Sequence, residues 1–253
     1  LETLNTLFVG KVVREFPKLA STNQYATDLL SKSKPSEGTV ISTPNQYAGR
    51  GQIGSGWESE ADKNINLSII FYPTFLPIRK QFQLNQAVSL GVKDCIAHFV
   101  PENVKIKWPN DIYIHNKKVC GILIQNTLTG SIISSSVIGI GINVNQTTFI
   151  TNPPNPSSLK LETNHELGLK RVREVLCQKI ETRYLQLKAG KIDELYQDYL
   201  HNLYRYDEMS LFKRPNEDTF YGKILGVEET GKLLIENEYG DQENFAIKEV
   251  RFI

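Results

Sequence analysis

The chain has 253 residues, 40% hydrophobic and 23% charged, enough for one large core or a large core and a small one. Its 29 basic and 28 acidic side chains leave a formal net charge of +1, so there is no global field for nucleic acid, an anionic membrane or an acidic partner. No apolar run approaches the roughly 18–20 residues that span a bilayer, and Leu1 to Gly10 lacks the basic-then-apolar pattern of a secretory signal. Cys95, Cys120 and Cys177 are scattered without a C-x-x-C pair, which fits a reducing cytoplasm. His98, His115, His165 and His201 lie too far apart in sequence to suggest a metal cage.

The predicted elements begin with a short strand over Lys11 to Phe16. Ser21-Thr22-Asn23 are N-cap residue types, and Tyr25, Ala26, Leu29 and Leu30 behind them follow helical spacing up to Pro35. A strand over Gly38 to Ser42, a glycine-rich loop over Gln46 to Trp57 and an apolar strand over Ile65 to Tyr72 follow. After Pro77, the recurrence of Phe82, Ala87, Val88, Cys95, Ile96 and Phe99 predicts a long helix. Val104 to Ile114 reads as extended but interrupted by Trp108-Pro109-Asn110, with Pro109 suggesting an edge or a bulge. A hairpin turn at His115-Asn116 leads into a partner strand over Val119 to Gln125. Ser131 to Asn145 reads as one strand, or as two joined at Gly139 and Gly141. A Pro/Asn/Ser-rich loop over Thr151 to Ser158 precedes two helices, Leu169 to Lys188 and Ile192 to Tyr204. Beyond Tyr206 the texture changes to short strands and turns. This predicts a small β-barrel of about five strands over residues 206–253, apart from a main domain over 1–205.

Three clusters carry chemistry. Gly49-Arg50-Gly51-Gln52-Ile53-Gly54 spells G-x-G-x-x-G, but Ser55 to Asn64 offers no apolar helical face, so a dinucleotide fold is not indicated. What remains is a flexible loop with four glycines over Gly49 to Gly56. It can bring backbone N–H groups and Arg50 onto an anion, or it is a plain surface hairpin loop. Lys107-Trp108-Pro109-Asn110-Asp111 is the second cluster. The following hairpin brings Lys118 back opposite the strand that carries Asp111, and the two face one site or a solvated surface. The third is Gly139-Ile140-Gly141-Ile142-Asn143. Its glycines suggest close approach by a ligand or another backbone, and a strand-end bulge explains them equally well.

Taken in order, Ser21-Thr22-Asn23, Gln46 with Gly49-Arg50-Gly51-x-x-Gly54-x-x-Trp57, Lys107-Trp108-Pro109-Asn110-Asp111, Lys118-Val119-Cys120-Gly121-Ile122-Leu123 and Gly139-Ile140-Gly141-Ile142-Asn143 resemble the biotin–protein ligases. The resemblance covers nearly the whole chain. It implies an α/β (α+β) catalytic domain with a mixed sheet, followed by a small SH3-like C-terminal β-barrel. It also implies two half-reactions: biotin and MgATP give biotinyl-5′-AMP, which then acylates a lysine of a biotin carboxyl carrier protein or domain. No Mg²⁺ cage of protein ligands is expected, since the ion arrives with ATP.

By the same resemblance, Ser21, Thr22, Asn23 and Gln46 hold biotin's head, and Arg50, Gly51, Gln52, Lys118 and Gly121 complete its pocket. Gly49, Arg50, Gly51, Gly54, Trp57, Lys107, Asn110, Lys118 and Asn143 face ATP and the adenylate. Lys118 and Arg50 stabilise charge developing in adenylation, and Asp111 assists the acceptor amine. Many members carry arginine where this chain has Gln52, and a basic residue near Ser55, which predicts looser adenylate retention here. Cys120 stands where small residues are common and is taken as packing. Only about 20 residues precede Ser21, although the first residue is not Met; a chain near full length would lack the N-terminal repressor domain of bifunctional members. A lipoate–protein ligase, a non-catalytic biotin sensor and a nucleic-acid-binding regulator are the rival readings. Monomer or homodimer is left open.

Overall fold

The computed structural model describes residues 5–52, 54–100, 102–151 and 155–253. The readings made above for the first four residues, for Ile53 in the glycine loop and for 152–154 in the Pro-rich loop lie outside the described residues.

A seven-stranded mixed sheet forms the frame, with strand order β1-β2-β5-β9-β8-β7-β6. The strands are β1 (Val13–Glu15), β2 (Val40–Ser42), β5 (Ile65–Phe71), β6 (Val104–Lys107), β7 (Asp111–Ile114), β8 (Lys117–Thr129) and β9 (Ile132–Ile142). Only β1 and β2 run parallel; the other pairs are antiparallel. A two-residue pair, β3 (Gly49–Arg50) with β4 (Gly56–Trp57), turns the glycine-rich segment into a small hairpin rather than a loose loop. β9 is one continuous strand. Trp108–Pro109 is a cis bond inside a tight reversal that pairs β6 with β7, so the extended stretch expected over Val104 to Ile114 is instead a hairpin.

Helices α2 (Phe82–Phe99), α4 (Leu169–Lys188) and α5 (Ile192–His201) build the larger core, with α2 and α4 packed most extensively. Gly91 lets them close up, since a Cβ there would lie 2.8 Å from Ile180 Cα. The short helix α3 (Leu159–Thr163) was not foreseen. α1 (Thr22–Lys32) begins at Ser21, whose hydroxyl accepts from the Gln24 N–H at 3.4 Å, as its N-cap residue type predicted. Ala26 of α1 packs with Ile41, Ile70 and Val137 in a separate cluster on the other face of the sheet. β5 is therefore buried along its whole length. Ile65, Leu67, Ile69 and Phe71 join the larger core, and Ile70 turns to α1. Asn66 and Ser68 share the parity of Ile70, so they belong to the α1 face.

The C-terminal strands are β10 (Met209–Lys213), β11 (Thr219–Val227), β12 (Leu233–Asn237), β13 (Gln242–Phe245) and β14 (Arg251–Phe252). They form a five-stranded antiparallel sheet in the order β13-β12-β11-β10-β14; no β13–β14 pairing closes it into a barrel among the described residues. This sheet docks on the main body. Trp108 Nε1 donates to Gly231 O at 2.9 Å, and Phe82 fills the space beside Gly231, whose φ of +89 suits glycine. Phe212, Ile224, Leu233 and Phe245 belong to the same buried cluster as the helices.

Candidate active site

The α1 face of the sheet carries a cavity of about 460 Å³. Its floor follows from two cross-strand rows. Ile41, Ser68, Gly139 and Leu123 are register partners across four strands, and Asn66, Gly141, Gly121 and Asp111 form a second row. Glycines occupy the middle of both rows because side chains from above lie flat on them. A Cβ at Gly139 would sit 2.3 Å from Asn23 Oδ1, and one at Gly141 would sit 2.3 Å from Trp57 Cε2. The close approach expected at these glycines is thus made by the chain's own Asn23 and Trp57. Trp57 is fixed by its Nε1, which donates to Asn66 Oδ1 at 3.0 Å.

The N-terminus of α1 builds one end. Gln46 Oε1 accepts from the Thr22 N–H at 2.9 Å and from the Thr22 hydroxyl at 3.2 Å. Ser68 Oγ lies 2.8 Å from Thr22 Oγ1 and 2.6 Å from Asn23 Oδ1, and Asn23 Nδ2 donates to Gln125 Oε1 at 3.0 Å. Ser21, Thr22 and Asn23 are nearly buried, yet all three line the cavity together with Gln46. This end is a neutral, hydrogen-bonded polar set suited to a neutral polar ligand head.

The other wall comes from β7 and β8. Lys118 Nζ lies 2.7 Å from Asp111 Oδ1, both side chains partly exposed to the cavity. Tyr113 pairs with Lys118 and, beyond a bulge, Asp111 pairs with Gly121. The extra residue shifts the alternation, so Lys118 and Gly121 both face the cavity while Val119 and Cys120 are both buried. Cys120 is packing, and its burial pushes the thiol well above its ordinary pKa. Asn143 Nδ2 donates to Ser157 O at 3.0 Å, leaving its buried Oδ1 without a partner among the described residues at the cavity wall. Asn110 Nδ2 donates to Ile122 O at 2.7 Å, which pins the Trp108–Asn110 turn onto β8; Asn110 also lines the cavity.

Arg50, Gly51, Gln52 and Gly54 of the glycine hairpin line the same space. The hairpin is closed by Gly51 N–H to Ser55 O at 2.8 Å, and Arg50 reaches Gln24 Oε1 at 3.4 Å.

Two residues expected at the ATP end do not line this cavity. Gly49 lies behind the wall, where a Cβ would meet Trp57 O at 2.6 Å. Lys107 is the register partner of Asp111 on β6 but does not line the cavity. Its Nζ donates to Tyr113 OH at 3.1 Å and sits 5.1 Å from the Phe252 ring centroid. Burial lowers its pKa, against an opposing pull from Asp111.

Sequence reasoning missed Ser68, Asn66, Gln125, Glu58, Phe149 and Thr151, and also Ile247 and Lys248, which the C-terminal unit contributes to the cavity. Only Asn66 and Ser68 left a signal: polar residues at alternate positions of an otherwise apolar strand.

A sequence model of the biotin/lipoate A/B protein ligase family matches residues 15–143. The chain is 32% identical to the "Bifunctional ligase/repressor BirA" of Bacillus subtilis over 94% of its own length and 73% of that protein. It is 26% identical to the "Biotin--[acetyl-CoA-carboxylase] ligase" of Mycobacterium tuberculosis over 90% of this chain and 85% of the relative. Its fold is similar to that of the biotin protein ligase from Aquifex aeolicus solved with biotin and ATP, with a TM-score of 0.79, 24% identity and coverage of 96% of this chain and 100% of the other. The chain belongs to the biotin/lipoate A/B protein ligase family.

Proposed function

We propose that the chain is a biotin–protein ligase that forms biotinyl-5′-AMP from biotin and ATP and transfers the biotinyl group to a lysine of a biotin carboxyl carrier domain. The observation that carries this reading is a single cavity with the Thr22–Gln46–Ser68 set at one end and the Lys118–Asp111 pair on its wall. Each end suits a different part of the reaction. The neutral polar end fits a ureido head, which offers one acceptor and two donors; the head group of lipoate would leave these groups unmatched. Lys118 supplies fixed positive charge where the carboxylate meets the α-phosphate, and Arg50 adds a second cation from the hairpin. Asp111, held beside Lys118, is placed to take the proton of the incoming amine. Activation as a mixed anhydride supplies the leaving group, so no covalent enzyme intermediate is required.

Mg²⁺ enters as part of the MgATP substrate. The free Oδ1 of Asn143 is an oxygen acceptor suited to a ribose hydroxyl or to water bound to the ion. No helix among the described residues is long and apolar enough to cross a membrane; we place the protein in the cytoplasm, as its scattered cysteines suggest. β7 pairs with β8 over Lys117–Gly121 and Asn110 bonds both backbone groups of Ile122, so beyond that point β8 has no strand partner on this side among the described residues. Such an edge can receive a carrier strand or a second copy of the chain.

The test is pyrophosphate release with biotin and MgATP by the wild type and by Lys118→Ala. Release that the substitution abolishes, with biotin still bound, supports a ligase. Biotin binding without release by either protein would favour a sensor.

A further inference from the structure

Two segments distant in sequence wall the cavity: the hairpin ending at Trp57, and Gln146–Thr151, which contributes Phe149 and Thr151. One side chain ties them together. Glu58 follows Trp57 directly, and its carboxylate accepts from Ile150 N–H at 2.8 Å, Thr151 N–H at 2.7 Å, the Thr151 hydroxyl at 2.5 Å and the Gln146 side-chain amide at 3.2 Å. Both oxygens are used.

Gln146 continues the connection. Its Oε1 accepts from Glu60 N–H at 3.0 Å and Asn64 Nδ2 at 2.5 Å, and Asn64 donates to Ser59 Oγ. Asn66 also donates to Ser59, and it holds the Trp57 indole. A hydrogen-bonded network thus runs from the indole on the glycine floor to the 146–151 segment. That segment has little apolar anchorage of its own, since Ile150 is 87% exposed. Burial works to raise the Glu58 pKa, but the bonds from Thr151, Ile150 and Gln146 outweigh it and hold the carboxyl below its ordinary range.

Position along β9 says which end of the cavity this wall serves. Gly139 lies under Asn23 at the polar end, Gly141 under Trp57, and Asn143 comes next, just before the clasped segment. The wall therefore stands at the end away from Thr22 and Gln46.

We propose that Glu58 is a positioning residue that clasps the 146–151 segment to the glycine hairpin and so retains the adenylate between the two half-reactions. The inference rests on the ligase reading above.

The test compares wild type, Glu58→Gln and Glu58→Ala in three measurements: amide hydrogen exchange at Ile150 and Thr151, release of preformed biotinyl-adenylate without carrier, and the KM for biotin. Both variants should exchange these amides and release the adenylate at least about tenfold faster, with the KM for biotin nearly unchanged, as expected for lost hydrogen bonds to a charged group. Thr151→Val, which removes one donor from a surface position, should move both rates the same way by less, and it stands in if the Glu58 variants fold poorly. Unchanged exchange, or faster exchange with unchanged adenylate release, would overturn the proposal. A wild type that makes no adenylate would overturn the ligase reading instead, while exchange alone would still decide whether the clasp exists.

Discussion

Trp57 lies on Gly141 without room for a methyl group, and its indole in turn shapes the middle of the cavity. Gly141→Ala should therefore displace the indole, cost about 1–3 kcal/mol of stability and alter tryptophan emission, measurable by thermal denaturation and fluorescence. A variant with unchanged melting and emission would mean that Trp57 does not rest there in solution. Lys118 and Asp111 were legible as neighbours because the His115-Asn116 turn brings Lys118 back alongside the strand that carries Asp111, opposite Tyr113. Their roles should separate. Lys118→Ala should lower adenylation by about a hundredfold or more, followed as pyrophosphate release. Asp111→Asn should impair transfer to the carrier more than adenylation, and the reverse ordering would contradict the assignment. Glu58 and Gln125 were not legible, since each acts on a partner far away in sequence. Lys107 was expected at the ATP end with its motif neighbours; Asn110 and Asp111 line the cavity, while Lys107 Nζ lies beside the ring of Phe252 from the far end of the chain.

At the level of elements, periodicity located the long helices and most strands, because β5, α2 and α4 each bury a patterned face. What periodicity could not supply was register. Lys118 and Gly121 are three residues apart, and simple alternation sends them to opposite faces; only the bulge between them brings both to the cavity. The tight β6–β7 reversal was half visible: the interruption at Trp108-Pro109-Asn110 was legible, but it reads equally as an edge or a bulge in an extended stretch. The glycine hairpin is short and held by few backbone bonds, and it carries Gln52 and Ser55 where the resemblance implies basic residues. Less positive charge there predicts early escape of the reactive adenylate. The wild type should biotinylate a non-carrier protein faster than the uncatalysed rate, and Gln52→Arg should reduce that labelling. Labelling at the uncatalysed rate by the wild type would dismiss the idea.

Across the whole molecule, the change in sequence texture after Tyr206 precedes a C-terminal sheet that begins at Met209, yet its buried residues belong to one cluster with the helices. One shared core predicts one cooperative unfolding transition. Trp108→Phe removes the bond to Gly231 O and should lower that transition by about 1–2 kcal/mol, while two separate calorimetric transitions would contradict a shared core. The C-terminal unit also brings Ile247 and Lys248 to the cavity, a contribution that a strand-by-strand reading had no means to place. The central claim is that this cavity activates biotin and passes it to a carrier lysine. Its most direct test is the intact mass of a biotin carboxyl carrier domain after incubation with the protein, MgATP and either biotin or lipoate. The account predicts one biotinyl mass gain on the carrier with biotin, accompanied by pyrophosphate, and none with lipoate; modification by lipoate alone would contradict it.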